Sequence, residues 1–408
     1  METTAAKFDL QKLNKTNWKR FRYEQIAKRV SEAVDPNTTD LAIYVGLEHI
    51  DSEDIHIKRY GSPDDVSGGK LKCYPGDVIF GKRRAYQRKA AVVDFNGICS
   101  AHSFVFRANP EVIDPKLFPF FLHSDQFMHR AVDISVGGLS PTINWGDLKH
   151  QEFLLPPKPE QARLAELLWA MDEVIEKEKE VLNELNNTYL ISINQFMIHG
   201  DFIDKGNLVM TKCGLLDERI GIIKLRDCLT ENPTYGANAA SKTFENGKPR
   251  YIRITDIDED GNLIVEDQVT IDSEDFKTYL LEDQDFLFAR TGNTVGKTLL
   301  YTKEMGNSVF AGYLIRFRIN KNILRPKFLF YYTKSLKYDS FKRKMVKVGA
   351  QPNINSEEYQ SMILPSFSIE KQDKLIAEID LLKENITRVK NKITTSQELQ
   401  KSLINQIF

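Results

Sequence analysis

Two stretches of the chain carry apolar residues at helical spacing over many more turns than any other. In the first, Leu168, Ile175, Leu182, Tyr189 and Phe196 recur every seven residues, and Leu164, Met171 and Leu185 fall on a neighbouring seam. In the second, near the end of the sequence, Ile379, Ile386, Ile393 and Ile407 recur at multiples of seven beside Leu375, Leu382, Val389 and Leu403. Seams sustained over about four heptads predict coiled-coil helices, and about 38 residues at ~1.5 Å each make a rod of roughly 57 Å. Glu178, Ser396 and Gln400 interrupt the seams. The plain reading is a solvated or frayed position; the sharper one is a polar lock on register.

Upstream of each helix the pattern changes. Short β-like runs (89–94, 103–107, 248–255, 299–302 and 314–319) are broken by Gly, Pro, Asn and Asp. Leu155-Pro156-Pro157 and Leu364-Pro365 close these regions, because the residue before a proline is pushed into extended backbone and a helix begins after it. The predicted organisation is a globular region over 1–157, a helix over 158–198, a linker over 199–212, a second globular region over 213–368 and a second helix over 369–408.

The two halves repeat one another. Tyr44-Val45-Gly46-Leu47-Glu48-His49-Ile50 answers to Tyr251-Ile252-Arg253-Ile254-Thr255-Asp256-Ile257, shifted by 207 residues. Gly76-Asp77-Val78-Ile79-Phe80-Gly81-Lys82 answers to Gln284-Asp285-Phe286-Leu287-Phe288-Ala289-Arg290, shifted by 208. Phe106-Arg107-Ala108-Asn109 matches Phe317-Arg318-Ile319-Asn320, and Pro141-Thr142-Ile143-Asn144 matches Pro352-Asn353-Ile354-Asn355, both shifted by 211. Gln161 with Gln372, and Ile193-Asn194-Gln195 with Ile404-Asn405-Gln406, keep that shift. An ordered series with a slowly drifting offset describes one duplicated unit with small loop insertions. The expected fold is therefore α+β: two duplicated β-rich α/β domains separated by two long antiparallel coiled-coil helices, related by a pseudo-twofold axis. Pairing of each helix with a different chain, giving a dimer, is the alternative.

Composition narrows the class. The chain has 408 residues, 41% hydrophobic and 28% charged, as expected of a soluble globular protein. No apolar run approaches the roughly 18 residues that span a bilayer, and the first twenty residues hold no secretory apolar core. Cys73, Cys99, Cys213 and Cys228 are scattered, which suggests reduced thiols in a cytoplasmic protein and no structural zinc. The net charge of −1 means that any affinity for nucleic acid must be local. Local clusters exist: residues 78–93 contain no acid but hold Lys82, Arg83, Arg84, Arg88 and Lys89, and Lys342, Arg343, Lys344 and Lys347 form a second group.

Catalytic motifs dissolve on inspection. Gly292-Asn293-Thr294-Val295-Gly296-Lys297-Thr298 imitates a phosphate-binding loop but has three residues between its glycines where four are needed, and a β-like run follows it. Asn232-Pro233-Thr234-Tyr235 departs at its third position from the Asn-Pro-Pro-Tyr of amino-methyltransferases, and no Gly-rich cofactor turn precedes it. Glu176-Lys177-Glu178-Lys179-Glu180 lies in mid-helix, where surface ion pairing explains it. The seven histidines show no metal-ligand spacing and no triad.

The doubled order of GDVIFGKRR, VGGLSPTIN and FLLPPKPEQARLAELL, then YIRITDI, DFLFARTGNTVGKT, VGAQPNIN and ILPSFSIEKQDKLIAEID, resembles the specificity subunits of type I restriction-modification systems. The resemblance covers nearly the whole chain apart from the first fifteen or so residues and the linker near 200–207. It implies two target-recognition domains, each reading one half of a split, asymmetric site in double-stranded DNA. The helices would act as a ruler between the half-sites and as the docking surface for two methyltransferase subunits, which motor-nuclease subunits can join. It also implies that this chain has no catalytic centre and no cofactor of its own, S-adenosylmethionine and ATP being used by the partners. A stand-alone coiled-coil DNA-binding or scaffold protein is the competing expectation.

On this reading Lys82, Arg83, Arg84, Tyr86, Gln87 and Arg88 are candidate DNA contacts in the first domain, since Lys and Arg neutralise phosphates or read guanine and Gln pairs with adenine. Arg290, Thr291, Asn293, Thr294 and Lys297 stand at the equivalent place in the second. The loops holding Gly137, Gly138 and Ser140, and Gln351 and Asn353, offer close backbone approach to phosphate, with a tight turn as the plain alternative. Lys342, Arg343, Lys344 and Lys347 lead into the second loop, their alternative being a solvated helix face.

Overall fold

The computed structural model describes residues 15–202, 206–273, 275–346 and 352–408. Contacts divide the chain into one unit of Met1–Glu180 with Lys390–Phe408 and another of Val181–Val389.

In the first unit the strand Val78–Gly81 lies between Ser103–Ala108 and Ala90–Val92, and Ala27–Val30 completes an antiparallel sheet of four. Its apolar runs are nearly continuous because both faces are covered. Val78, Phe80, Phe104 and Phe106 enter an aromatic core with Tyr23, Phe121, Phe127 and Phe153. The alternate residues Ile79 and Val105 enter a second cluster with Val45, Ile50 and Cys99. The period of two along a strand makes this division. In the second unit Phe286, Phe288, Ile315 and Phe317 enter one core and Leu287, Ala289 and Leu314 another. There Phe286–Ala289 again lies between Leu314–Phe317 and Thr298–Leu300, with Thr234–Tyr235 at the edge.

Each unit has a second four-stranded sheet built on one parallel pair: Tyr44–Val45 with Gly97–Cys99, and Arg250–Ile252 with Ser308–Phe310. The copies differ here. In the first unit the next strand, Lys70–Cys73, joins Gly97–Cys99; in the second, Val269–Ile271 joins Arg250–Ile252, on the opposite edge of the pair.

The long helices run Lys158–His199 and Ile369–Ile407. A buried glutamine at the head of each fixes it to its own globular region. Gln161 accepts from the Asp114 amide at 2.7 Å and donates to the Val112 and Pro156 carbonyls at 3.0 and 2.8 Å. Gln372 accepts from the Arg325 amide at 2.8 Å and donates to the Ile323 and Phe367 carbonyls at 3.0 and 2.9 Å.

Helix pairing, left open by the sequence, occurs within the chain. In the first unit Leu164 and Leu168 share a core with Leu403 and Ile407, Gln400 donates to the Leu168 carbonyl at 3.3 Å, and Lys392 pairs with Glu178 at 3.1 Å. Partners thus descend along one helix as they ascend along the other, so the pair is antiparallel. Glu178 is buried and ion-paired, which overturns the plain reading of it as solvated: the interruption is a cross-helix contact. In the second unit Ile193, Phe196 and Met197 pack with Leu375 and Ile379. The repeated Ile-Asn-Gln now has a physical role. Asn405 accepts from the Asp125 amide at 2.8 Å, and Asn194 accepts from the Leu336 amide at 2.9 Å, so each caps the first residue of the short helix Asp125–Asp133 or Leu336–Met345.

No helix among the described residues is long and apolar enough to cross a membrane.

Candidate nucleic-acid interface

In the first unit the basic turn and the glycine loop, more than fifty residues apart in sequence, form one surface. The chain leaves Val78–Gly81 at Lys82, whose carbonyl accepts from the Ile143 amide at 2.9 Å. The Arg84 amide donates to the Pro141 carbonyl at 2.8 Å and its guanidinium to the Ser140 hydroxyl at 3.3 Å. Val136 and Thr142 exchange hydrogen bonds of 3.0 and 2.9 Å, which makes the loop a hairpin. At its tip Gly137 has φ +114°, space is open where a Cβ on Gly138 would sit, and Leu139 is 97% exposed. Arg83, Arg84 and Tyr86 are exposed beside it, and Gln87 is half-buried.

Lys82 is half-buried, its ammonium 5.3 Å from the centre of the Phe104 ring. Burial, and then the like charge of Arg29, hold its pKa below the ordinary lysine value.

Arg88 is already engaged within the protein. Its guanidinium pairs with Glu53 and Asp125, both at 2.8 Å, and donates to the His123 carbonyl at 2.8 Å, leaving the side chain 17% exposed. It braces the turn from behind and is not part of the exposed face. Lys89 is spent in the same way on the Leu47 carbonyl at 2.6 Å.

The second unit repeats the arrangement with different side chains. The Gly292 amide donates to the Pro352 carbonyl at 3.0 Å, the Ile354 amide donates to the Arg290 carbonyl at 2.8 Å, and Thr291 bridges Asn353. Asn293 and Asn353 are exposed; the Thr294 hydroxyl turns back to the Thr291 carbonyl at 3.0 Å. The turn is held from beneath by Tyr338, which donates to the Gly296 carbonyl, and Tyr359, which donates to the Ala289 carbonyl, both at 2.8 Å. Gly296 has φ +84°, and a Cβ there would meet the Lys342 stem at 2.3 Å, so a glycine lets Lys342 lie flat on the turn. Lys342 also pairs with Asp339 at 2.9 Å, while Arg343 and Lys344 are exposed at the C-terminal end of their helix, where cations also suit the helix dipole.

Lys297 is likewise engaged within the protein: it pairs with Glu259 at 2.9 Å and donates to the Ile257 carbonyl at 3.1 Å, with 18% of its side chain exposed. Lys347 and Gln351 lie outside the described residues.

Sequence reasoning missed three exposed groups on these faces: Leu139, Tyr235 and Tyr313, the last two 39% and 55% exposed and facing Arg290.

The decoys resolve as structure. Gly292–Thr294 is a single 3-10 turn followed by the strand Thr298–Leu300, and Thr234–Tyr235 is a sheet edge. Asp54, His56 and Glu176 do converge in space, which sequence spacing did not reveal. Lys58 and Lys179 neutralise the two carboxylates, and His56 is bonded to Asp172 at 2.7 Å, so the cluster joins a loop to the first long helix by ion pairs.

The two units are duplicated α/β folds, each with a basic, loop-built face and a long helix. A sequence model of the type I restriction modification DNA specificity domain matches residues 66–187 and again 228–399, more than half the chain, and the chain belongs to that family. The specificity subunit of the type I restriction enzyme EcoDI from Escherichia coli is 30% identical over 177 residues, which span 42% of this chain and 39% of that protein. A chain from a structural study of complex assembly and conformational transition in a type I R-M system shares the fold at a TM-score of 0.60 and 18% identity, over 96% of this chain and 97% of that one. The type I restriction-modification S subunit from M. genitalium does so at 0.55 and 17% identity, over 97% and 98%.

Proposed function

We propose that this type I specificity subunit reads one half of a split, asymmetric DNA sequence with each basic face and has no turnover of its own. The observation that carries this reading is the doubled juxtaposition of a cationic turn (Lys82–Arg84, Arg290–Thr294), whose cations make no ion pair among the described residues, with a second loop (136–142, 352–354). Phosphate-binding cations and base-reading side chains then sit on one surface, as sequence recognition in a groove requires. The side chains of the two faces differ, so the half-sites differ.

The long helices set the gap between half-sites and dock two methyltransferase subunits, with motor-nuclease subunits joining them. S-adenosylmethionine and ATP are bound by those partners, and the assembly works in the cytoplasm. With a net charge of −1, this chain alone binds DNA weakly and relies on its partners to complete the positive surface.

Co-expression with the methyltransferase subunit, followed by mapping of modified adenines, tests the reading. A split motif with unequal halves is expected; a continuous motif, or no methylation from an assembled complex, contradicts it. Inserting one heptad into both long helices should widen the gap and leave both half-sites intact, whereas an unchanged gap removes the ruler.

A further inference from the structure

In the second unit a cleft of about 760 Å³ opens beside the reading turn, with Tyr235, Tyr313, Arg253 and Arg290 on its walls. Arg290 is held unusually firmly for a surface cation. Its amide donates to the Tyr313 carbonyl at 2.9 Å, and its carbonyl accepts from the Ile354 amide at 2.8 Å. Its guanidinium lies 5.0 Å from the centre of the Tyr235 ring and 5.9 Å from that of Tyr313. The Tyr235 hydroxyl accepts from the Ser356 amide at 3.1 Å, so one jaw of this clamp is itself fixed.

The cleft's other cation is already spent. Arg253 pairs with Asp256 at 2.7 Å and donates to the Asp267 carbonyl at 3.1 Å. Arg290 has no carboxylate partner among the described residues, and its Nε is buried without a hydrogen-bond partner. Its two terminal nitrogens are therefore the ends free to meet a ligand.

We propose that Arg290, held between Tyr235 and Tyr313, is the residue by which the second copy reads a guanine in the major groove. The proposal rests on the DNA-reading function put forward above. A guanidinium beside two aromatic rings has fewer orientations open to it, and its fork offers two parallel donors, which match the O6 and N7 acceptors of guanine and no other base. A phosphate needs only a nearby positive charge, and exposed Arg343 and Lys344 already provide that. Fixing the side chain in advance also lowers the entropy lost on binding. Tyr235 and Tyr313 are positioning residues. The clamp is particular to this copy: at the equivalent position Lys82 lies over Phe104, and His102 stands where Tyr313 does.

The test uses the full chain assembled with its methyltransferase partner and maps modified adenines for wild type, Arg290→Gln, Arg290→Lys and Tyr313→His. Arg290→Gln should lower discrimination at one G·C pair of one half-site by roughly tenfold to a hundredfold, with the other half-site unchanged as proof of a folded complex. Arg290→Lys keeps the charge but not the fork, and the same pair should relax. Tyr313→His should relax it partially, an effect at a single base that a merely structural role would not give. Both Arg290 variants retaining the wild-type motif, with or without a uniform fall in methylation, would overturn the proposal, and if Arg290→Gln fails to assemble, Arg290→Lys decides alone. Failure of the underlying function shows separately, as the absence of a split motif in wild type.

Discussion

The basic faces of the two units share a backbone and differ in how they present their leading cation. At equivalent positions the first carries Lys82 over Phe104 with Arg29 nearby, and the second carries Arg290 between Tyr235 and Tyr313. The hydrogen bonds beneath are the same: the carbonyl of Lys82 or Arg290 accepts from the amide of Ile143 or Ile354. Duplication kept the frame that positions the turn, and divergence acted on the side chains that project from it. The second sheets extend the lesson, since the parallel pair is common to both units while the third strand joins opposite edges. On the proposed reading, a frame shared in this way would let specificity change without refolding.

The comparison breaks most severely if the shared joints are removed. Gln161→Leu and Gln372→Leu should each destabilise by about 2 kcal/mol, because each leaves one amide and two carbonyls without their partner in a partly buried setting. Thermal unfolding of the two variants should show similar losses. A large loss in one and none in the other would mean that the copies no longer share this joint.

Next in size is the triple replacement of Lys82, Arg83 and Arg84 by Ala. It should impair one half-site only and flatten the dependence of log affinity on log salt by roughly 2 to 3, about one for each phosphate that is no longer neutralised. Unchanged specificity and slope would remove these residues from the interface. Arg88→Ala separates brace from reader. It should cost about 1–2 kcal/mol of stability, since two partly exposed acids and a carbonyl lose their partner, yet leave the recognised sequence unaltered.

The smallest difference concerns pH. The hydrogen bond to Asp172 raises the His56 pKa, and the charges of Asp172, Asp54 and Glu176 add to it against the cost of burial. A histidine raised on folding contributes its full stability below the unfolded value near 6.5 and loses it as pH climbs through the folded value. The first unit should therefore weaken slightly as pH rises above about 6.5, and His56→Gln should remove that dependence in an unfolding series. An unchanged series would remove His56 as its source.

Much of this architecture was legible because the repeated residues are the ones that make repeated contacts. Gln161 with Gln372, Asn194 with Asn405, and Arg107–Asp77 with Arg318–Asp285 each do the same work twice. A heptad seam does not name its partner, however, so the shared apolar cores and the cross-contacts of Lys392 and Gln400 decided between pairing within and between chains. The face was legible in outline and not in detail. A run of cations shows where positive charge is made, but the acids that consume it come from elsewhere: Glu53 and Asp125 for Arg88, Glu259 for Lys297. The tyrosines around Arg290 are likewise distant in sequence, brought together by pairing of the edge strand Thr234–Tyr235 with Leu314–Phe317.

The central claim, that two diverged copies read independently, is tested most directly by exchange. Residues 1–157 would be replaced by the corresponding region of a relative with a different motif, and modified adenines mapped with the same methyltransferase partner. The account predicts that one half-site is replaced while the other half-site and the gap are retained. Change in both halves, or in neither despite assembly, would contradict it.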